Sequence, residues 1–362
     1  MTSIKYIAYI DKEKMLGVIN KVIYTCQASK DFGYCAEEII IDSSRRYSRL
    51  EVIKSLWRLK ADIVILRNPF FEEVIFFPLL VVLRIRGMKI IIDMPTPVVN
   101  VYQETKSRAD LNYIGCLMRC ALLVISYPWF HLVANRIVTY SNENAYFQLG
   151  LRRRTVLTGN AINLNSIRVV EKKIYKENEL NLIGVAALAN WHGYDRLIRS
   201  LGDYYRDASN PVRVSFTIVG DGVVGNTLRS LVKACEVEGY VEFAGFKSGE
   251  DLDQLYAEAD VAVGSLGMHR IGLTLGSTLK VREYAARGKP FLLGYDDVDI
   301  EDSERFAMKI AADESAFSVI DIICWYRELQ KNKHLDQCIR SYAELRFDFK
   351  TKIHLILDGL DK

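Results

Sequence analysis

The chain has little proline, seven residues in 362, and no low-complexity tract or short repeat. That composition excludes long disordered linkers, solenoids and repeat arrays. Its seven cysteines are odd in number and form no CxxC pair. Neither a zinc spacing nor a disulfide framework is present, and with no secretion signal in view the thiols are expected to be reduced, in a cytoplasmic protein. Cys116 and Cys120 lie one helical turn apart, but with only His131 near them in sequence no metal site is expected. No run of eighteen uncharged apolar residues occurs, so no spanning helix is expected. The nearest run, 121–134, contains Pro128 and His131 and suits a core or interfacial segment.

Half of the residues are hydrophobic, and the length suits two cores of about 150 to 200 residues each. The formal charge of +3 hides an asymmetry. Residues 1–165 hold 22 Lys and Arg against 14 Asp and Glu, the remainder 26 against 31. A basic first half suggests contact with an anionic surface, and a membrane fits as well as nucleic acid. An uneven solvated surface would read the same way.

Short, nearly continuous apolar runs at 4–10, 39–41, 63–66, 89–93, 136–139 and 155–157 alternate with helical periods. Such strands belong to a parallel sheet covered on both faces. A polar run from Gly159 to Glu179 follows, and a second alternating series starts at Leu180. The expected fold class is α/β, with two Rossmann-like doubly wound domains in tandem. A last helical stretch, 336–357, is expected to break near Phe347. Ligands of open sheets bind outside the carboxyl ends of the strands, which directs attention to the loops there.

The most informative loop runs from Leu266 to Pro290. Ser277 is the expected cap of a helix whose free N–H groups would face an anion such as a diphosphate, with Thr278 beside it. Arg270 and Lys280 can add charge-assisted hydrogen bonds. Glu283, further along that helix, can accept both hydroxyls of a ribose. Surface ion pairs among Arg270, Lys280 and Glu283 are the plainer reading. Asn190, His192 and Gly193 follow the first strand of the second series and could approach the same phosphates. Gly220, Asp221 and the glycines at 222 and 225 match GxGxxG, a weak pattern when alone. It follows the second strand of its domain rather than the first, which suits close backbone approach or turn chemistry better than NAD. In the first domain Gly17 permits close approach after the first strand, and Asp93 with Thr96 ends a strand where a hydroxyl acceptor would arrive. Arg45–Lys60 interleaves basic and aromatic residues, as a membrane-surface helix or as an amphipathic helix on the core.

These segments resemble the retaining GT-B family of bacterial glycosyltransferases that build capsule, lipopolysaccharide and exopolysaccharide. The resemblance is strongest over 181–295, through Trp191-His192-Gly193-Tyr194-Asp195-Arg196, Ile218-Val219-Gly220-Asp221-Gly222 and Leu279–Pro290. It implies a GT-B fold: an acceptor domain over 1–170, a nucleotide-sugar donor domain over 171–340, a cleft between them, and a last helix, 341–362, crossing back to the first. It implies transfer from a nucleotide-sugar to a glycan or lipid-linked acceptor, with no metal or other cofactor. Glu283 would hold the ribose, while Lys280 and Arg270 would neutralise the diphosphate. Asp93 or His131 would be candidate bases, although in retaining relatives the leaving phosphate can take the proton. The expected setting is the cytoplasm, with peripheral contact at the inner membrane face and no nucleic acid. The chain departs from the family at Leu275, where many members carry an acid, and at Ala187 and His192, where Arg and Lys are usual. A nucleotide-sugar 2-epimerase on the same fold, a catalytically silent nucleotide-sugar or glycan-binding partner, and a nicotinamide oxidoreductase are the alternatives.

Overall fold

Continuous apolar runs do become buried parallel strands. The computed structural model describes residues 1–13, 15–107, 112–126, 129–142, 154–170, 176–207 and 212–360. The chain divides into two compact units, Met1–Ala161 with Asp348–Lys362, and Ile162–Phe347.

The first unit holds strands β1 (Ser3–Ile10), β2 (Cys35–Asp42), β3 (Ile63–Arg67), β4 (Lys89–Met94), β5 (Arg136–Thr139) and β6 (Thr155–Leu157). They form one parallel sheet in the order β2-β1-β3-β4-β5-β6. All five residues of β3 are buried, as a strand covered on both faces requires. Helices α1 (Leu16–Asp31), α2 (Ser48–Arg58), α3 (Glu73–Ile85), α4 (Val98–Ser107), α5 (Tyr113–Ser126) and α6 (Trp129–Val133) connect them. In α2 the apolar stripe faces inward, with Val52 and Leu56 fully buried, while the Arg86 guanidinium lies 5.2 Å from the exposed Trp57 ring. The basic and aromatic segment is therefore an amphipathic helix on the core.

In the second unit β7 (Glu179–Val185), β8 (Arg213–Val219), β9 (Val241–Gly245), β10 (Val261–Val263), β12 (Phe291–Leu293) and β14 (Ala307–Lys309) pair in parallel in the order β14-β12-β10-β7-β8-β9. A short ladder joins β11 (Leu275–Gly276) to β13 (Asp296–Asp297). Helices α7 (Tyr194–Arg206) and α8 (Gly225–Ala234) share one apolar layer with the sheet. Helices α9 (Gly249–Glu258), α10 (Leu279–Ala286) and α12 (Leu335–Arg346) contribute to the other, and α11 (Val319–Leu329) adds to the first.

The final helical stretch breaks at Phe347. Asp348 caps α13 (Phe349–Leu357) by accepting from the Lys350 N–H at 2.7 Å. Helix α13 lies in the first unit, against α1, with the Phe349 and Tyr24 rings 5.6 Å apart.

Helix α10 is pinned by a buried cation. Arg282 is fully buried; it donates to both carboxylate oxygens of Asp297 at 2.7 and 2.8 Å and to Asp299 at 2.8 Å, and lies 4.2 Å from the Phe347 ring. Removing one partner of a buried pair strands the other charge. Asp297→Ala is expected to lower stability by about 3 kcal/mol, read from the urea midpoint, because Asp299 compensates only part of the loss.

Candidate donor site in the second unit

Strand order decides where this unit can hold a ligand. From β7 the chain proceeds outward through β8 and β9, then returns to place β10 on the other side of β7. The two loops leaving β7 and β10 thus part at a topological switch point, where open α/β sheets bind ligands.

Backbone contacts join those loops. The Leu266 N–H donates to the His192 carbonyl at 2.9 Å, and Gly267 N–H to Trp191 at 3.2 Å. Gly193 has φ +63°, and a Cβ there would stand 2.5 Å from the Gly267 nitrogen, so this position excludes any side chain. Beneath the loops the Tyr284 hydroxyl donates to the Val263 carbonyl at 3.1 Å.

Lys280, in the first turn of α10, reaches this region. Its Nζ is buried with no hydrogen-bond partner among the described residues, and it lies 5.6 Å from the Tyr194 ring. Burial lowers its pKa to about 7. His192 faces the same charge. Burial, then Lys280, lowers it to about 3, so the imidazole is neutral at physiological pH. Its Nδ1 accepts the Ala189 N–H at 3.1 Å, which assigns the proton to Nε2 and makes that nitrogen a donor. A buried lysine amino group with no partner among the described residues, beside a neutral N–H donor and the amino end of a helix, favours an anionic ligand, which would also restore its proton.

Several residues expected in this site are used differently. Arg270 is not a free cation. Its five N–H groups go to Asp195 (2.8 and 2.8 Å), Glu314 (2.7 and 2.8 Å) and the Asn190 carbonyl (2.9 Å), and these carboxylates hold its pKa above the ordinary arginine value. It ties the loop after β7 to Glu314, and no local sequence signal joins residues so far apart in the chain. Ser277 is not the helix cap. Thr278 occupies that position without a capping side-chain bond, its Oγ1 sitting 2.7 Å from the Tyr295 hydroxyl, while Ser277 Oγ accepts from Arg282 at 2.6 Å. Glu283 is half-buried on α10, and its Oε1 accepts from Arg287 Nε at 3.1 Å.

The GxGxxG glycines answer a steric need inside the unit. Gly220 has φ +111°, and a Cβ there would meet the Ala186 carbonyl at 2.0 Å; at Gly222 one would meet that of Leu188 at 2.3 Å. Asp221 completes the turn by accepting from the Gly222 N–H at 2.8 Å. The motif lets the loop after β7 cross the loop after β8.

In the first unit Asp93, one of the two candidate bases, is surrounded by donors. Only 2% exposed, its carboxylate accepts from Tyr6 (2.5 Å), Tyr140 (2.7 Å), Lys21 (3.0 and 3.1 Å) and Arg67 (3.1 Å). Lys21 and Arg67, with the two hydroxyls, hold its pKa below the usual carboxylate range despite burial, and burial lowers Lys21 to about 8. A carboxylate bound by so many donors has little basicity. Gly17 lies exposed in the first turn of α1, and Thr96 is half-buried after β4.

Two Rossmann-like units, each with a six-stranded parallel sheet, are the fold seen in GT-B glycosyltransferases. Residues 179–302 match the model of the family described as Glycosyl transferases group 1, over the segment that builds the site. That match bears out the expectation of a glycosyltransferase. Similar solved structures span almost the whole chain. A glycosyltransferase from Rickettsia africae is 13% identical with a TM-score of 0.63, covering 99% of this chain and 97% of its own. The apo lipopolysaccharide outer core galactosyltransferase WaaB is 11% identical with a TM-score of 0.61, covering 98% and 99%. The catalytic domain of starch synthase IV from Arabidopsis thaliana, bound to ADP and acarbose, is 11% identical with a TM-score of 0.63, covering 100% of both chains. At such identities the likeness is one of fold. Among curated proteins none matches the chain in sequence.

Two outcomes test these assignments. The folded protein releases the Lys280 proton near pH 7, whereas the unfolded chain keeps it to about 10.5. Between those values the unfolded state binds more protons, so the lysine's contribution makes stability rise with pH, by up to about 1.4 kcal/mol per unit. Lys280→Met should remove that part of the rise in denaturation curves taken from pH 6 to pH 10. Asp93→Asn should cost about 3–5 kcal/mol in urea unfolding, because it strands Lys21 and Arg67; a catalytic base would instead lose turnover at unchanged stability.

Proposed function

We propose that the protein transfers a sugar from a nucleotide-sugar donor to a glycan or lipid-linked acceptor in bacterial surface polysaccharide synthesis. The transfer proceeds with retention and without a metal or other cofactor. The carrying observation is the buried Lys280 Nζ, which has no hydrogen-bond partner among the described residues, at the amino end of α10 and beside the neutral His192. A diphosphate placed there would receive the lysine, the His192 Nε2–H and the free N–H groups of the helix. Glu283, further along the same helix, is assigned to the ribose hydroxyls.

The chemistry asked of these groups is charge stabilisation. As the bond from the anomeric carbon to the diphosphate breaks, negative charge grows on the leaving oxygens, and fixed donors favour that state over the ground state. The acceptor hydroxyl forms the new bond to the anomeric carbon, and its proton passes to the departing diphosphate. This route needs no side-chain base, in keeping with the saturated state of Asp93. Arg270 is assigned a positioning part, since it holds Asp195 and the Asn190 backbone.

The acceptor is assigned to the first unit, on the side of Gly17 and Thr96. The setting proposed is the cytoplasm, with peripheral contact at the inner membrane surface and no nucleic-acid partner.

A thermal-shift screen against UDP-, GDP-, ADP- and dTDP-sugars tests the reading. The matching donor at a hundred times its Kd should add about 2.7 kcal/mol of stability. Glu283→Ala should abolish that shift while the unliganded protein stays folded, because the buried Arg287 keeps its bond to Asp253 at 2.6 Å. An unchanged shift in the variant would overturn the donor-site assignment.

A further inference from the structure

Arginine is seldom buried unless its charge is matched, and Arg287, the residue that ends α10, is only 7% exposed. Its surroundings come from two helices. Toward α9 its Nη1 donates to Asp253 Oδ1 at 2.6 Å, and the guanidinium carbon lies 4.3 Å from the centre of the Tyr256 ring, which is fully buried. Back along α10, Nε donates to Glu283 Oε1 at 3.1 Å, and Nη2 stands 3.1 Å from the same oxygen. The guanidinium is therefore held by an anion and a ring on a neighbouring helix as well as by Glu283.

This is more than a pair on one helix. An exposed Glu and Arg four residues apart contribute little and leave both side chains free to move. A planar fork stacked on a ring and anchored elsewhere keeps one orientation, and the carboxylate it touches inherits it. The contact is also lopsided. A fork that met Glu283 squarely would occupy both carboxylate oxygens. Here both nitrogens converge on Oε1, and Oε2 accepts no hydrogen bond among the described residues. Glu283 thus keeps an open oxygen on a side chain that is 27% exposed, while its other oxygen is fixed. Such a carboxylate suits a pair of adjacent hydroxyls, because each bond to a charged acceptor is a strong one. The ribose of a nucleotide carries that pair. A 2′-deoxyribose has lost one donor, and a site built to bind a hydroxyl discriminates against the analogue lacking it.

We propose that Arg287, anchored by Asp253 and Tyr256, is a positioning residue that fixes Glu283 so that the site takes ribonucleoside diphosphates and rejects their 2′-deoxy analogues. This rests on the assignment of Glu283 to the ribose hydroxyls and adds the residues that orient it.

Calorimetric titration of the full chain with UDP, GDP and ADP, each beside its 2′-deoxy analogue, tests it. For the base that binds, the wild type should hold the ribonucleotide about tenfold tighter or more, the worth of one hydrogen bond to a charged group. Arg287→Lys keeps the charge but loses the fork, and Asp253→Asn loosens the anchor at a half-exposed position. Each should weaken the ribonucleotide about tenfold and leave the deoxy form nearly unchanged, bringing the ratio toward one. A merely structural role would instead lower the Tm and weaken both ligands alike. A ratio that both variants keep at the wild-type value would therefore overturn the part given to Arg287. If Glu283→Ala alone loses the discrimination, the ribose assignment still stands. Wild-type binding without preference for the ribonucleotide would overturn that assignment and this inference together, and no binding of any diphosphate would overturn the donor site itself.

Discussion

The second unit depends on the place where its chain changes direction. Because β10 returns to the far side of β7, the loops leaving these neighbouring strands have no covering crossover between them, and they close on each other through the backbone bonds from Leu266 and Gly267. Gly193 allows that closure by having no Cβ, and Arg270 secures it from one side. Helix α10 is set in turn by Arg282 and its aspartates, so the Lys280 side chain enters the same region from a fixed base.

Rigid positioning and an unsatisfied charge are combined here. Three cations around the site are matched: Arg270 by two carboxylates and a carbonyl, Arg282 by Asp297 and Asp299, Arg287 by Asp253 and Glu283. Lys280 Nζ has no hydrogen-bond partner among the described residues, and the cost of its burial appears as a depressed pKa. Proteins tolerate such a group where a ligand completes it. Donor recognition would then rest on a preformed set of donors instead of on loops that must be ordered first.

Much of the fold was legible from residue patterns. Strands such as β3 and β4 are continuous apolar runs because both faces are covered, and the break between α12 and α13 falls at Phe347, where Asp348 can cap a new helix. The site was legible in part. Lys280, His192 and Glu283 lie on the expected elements, since loop and helix positions follow from strand ends. What failed was pairing across sequence. Glu314 neutralises Arg270, and Lys21 with Arg67 saturates Asp93, through contacts that only the folded chain creates. Ser277 missed the cap by one residue because Arg282 claims its hydroxyl.

The polar knot around Asp93 has an arithmetic of its own. Two cations, Lys21 and Arg67, share a single carboxylate, while Tyr6 and Tyr140 contribute hydroxyls that burial keeps protonated. At neutral pH the knot therefore sums to one surplus positive charge, held almost out of water near the carboxyl end of the first sheet. Low-polarity surroundings screen such a charge weakly, so its field extends further than that of a surface lysine. The surplus thus adds a positive contribution to the local potential at that end of the first unit.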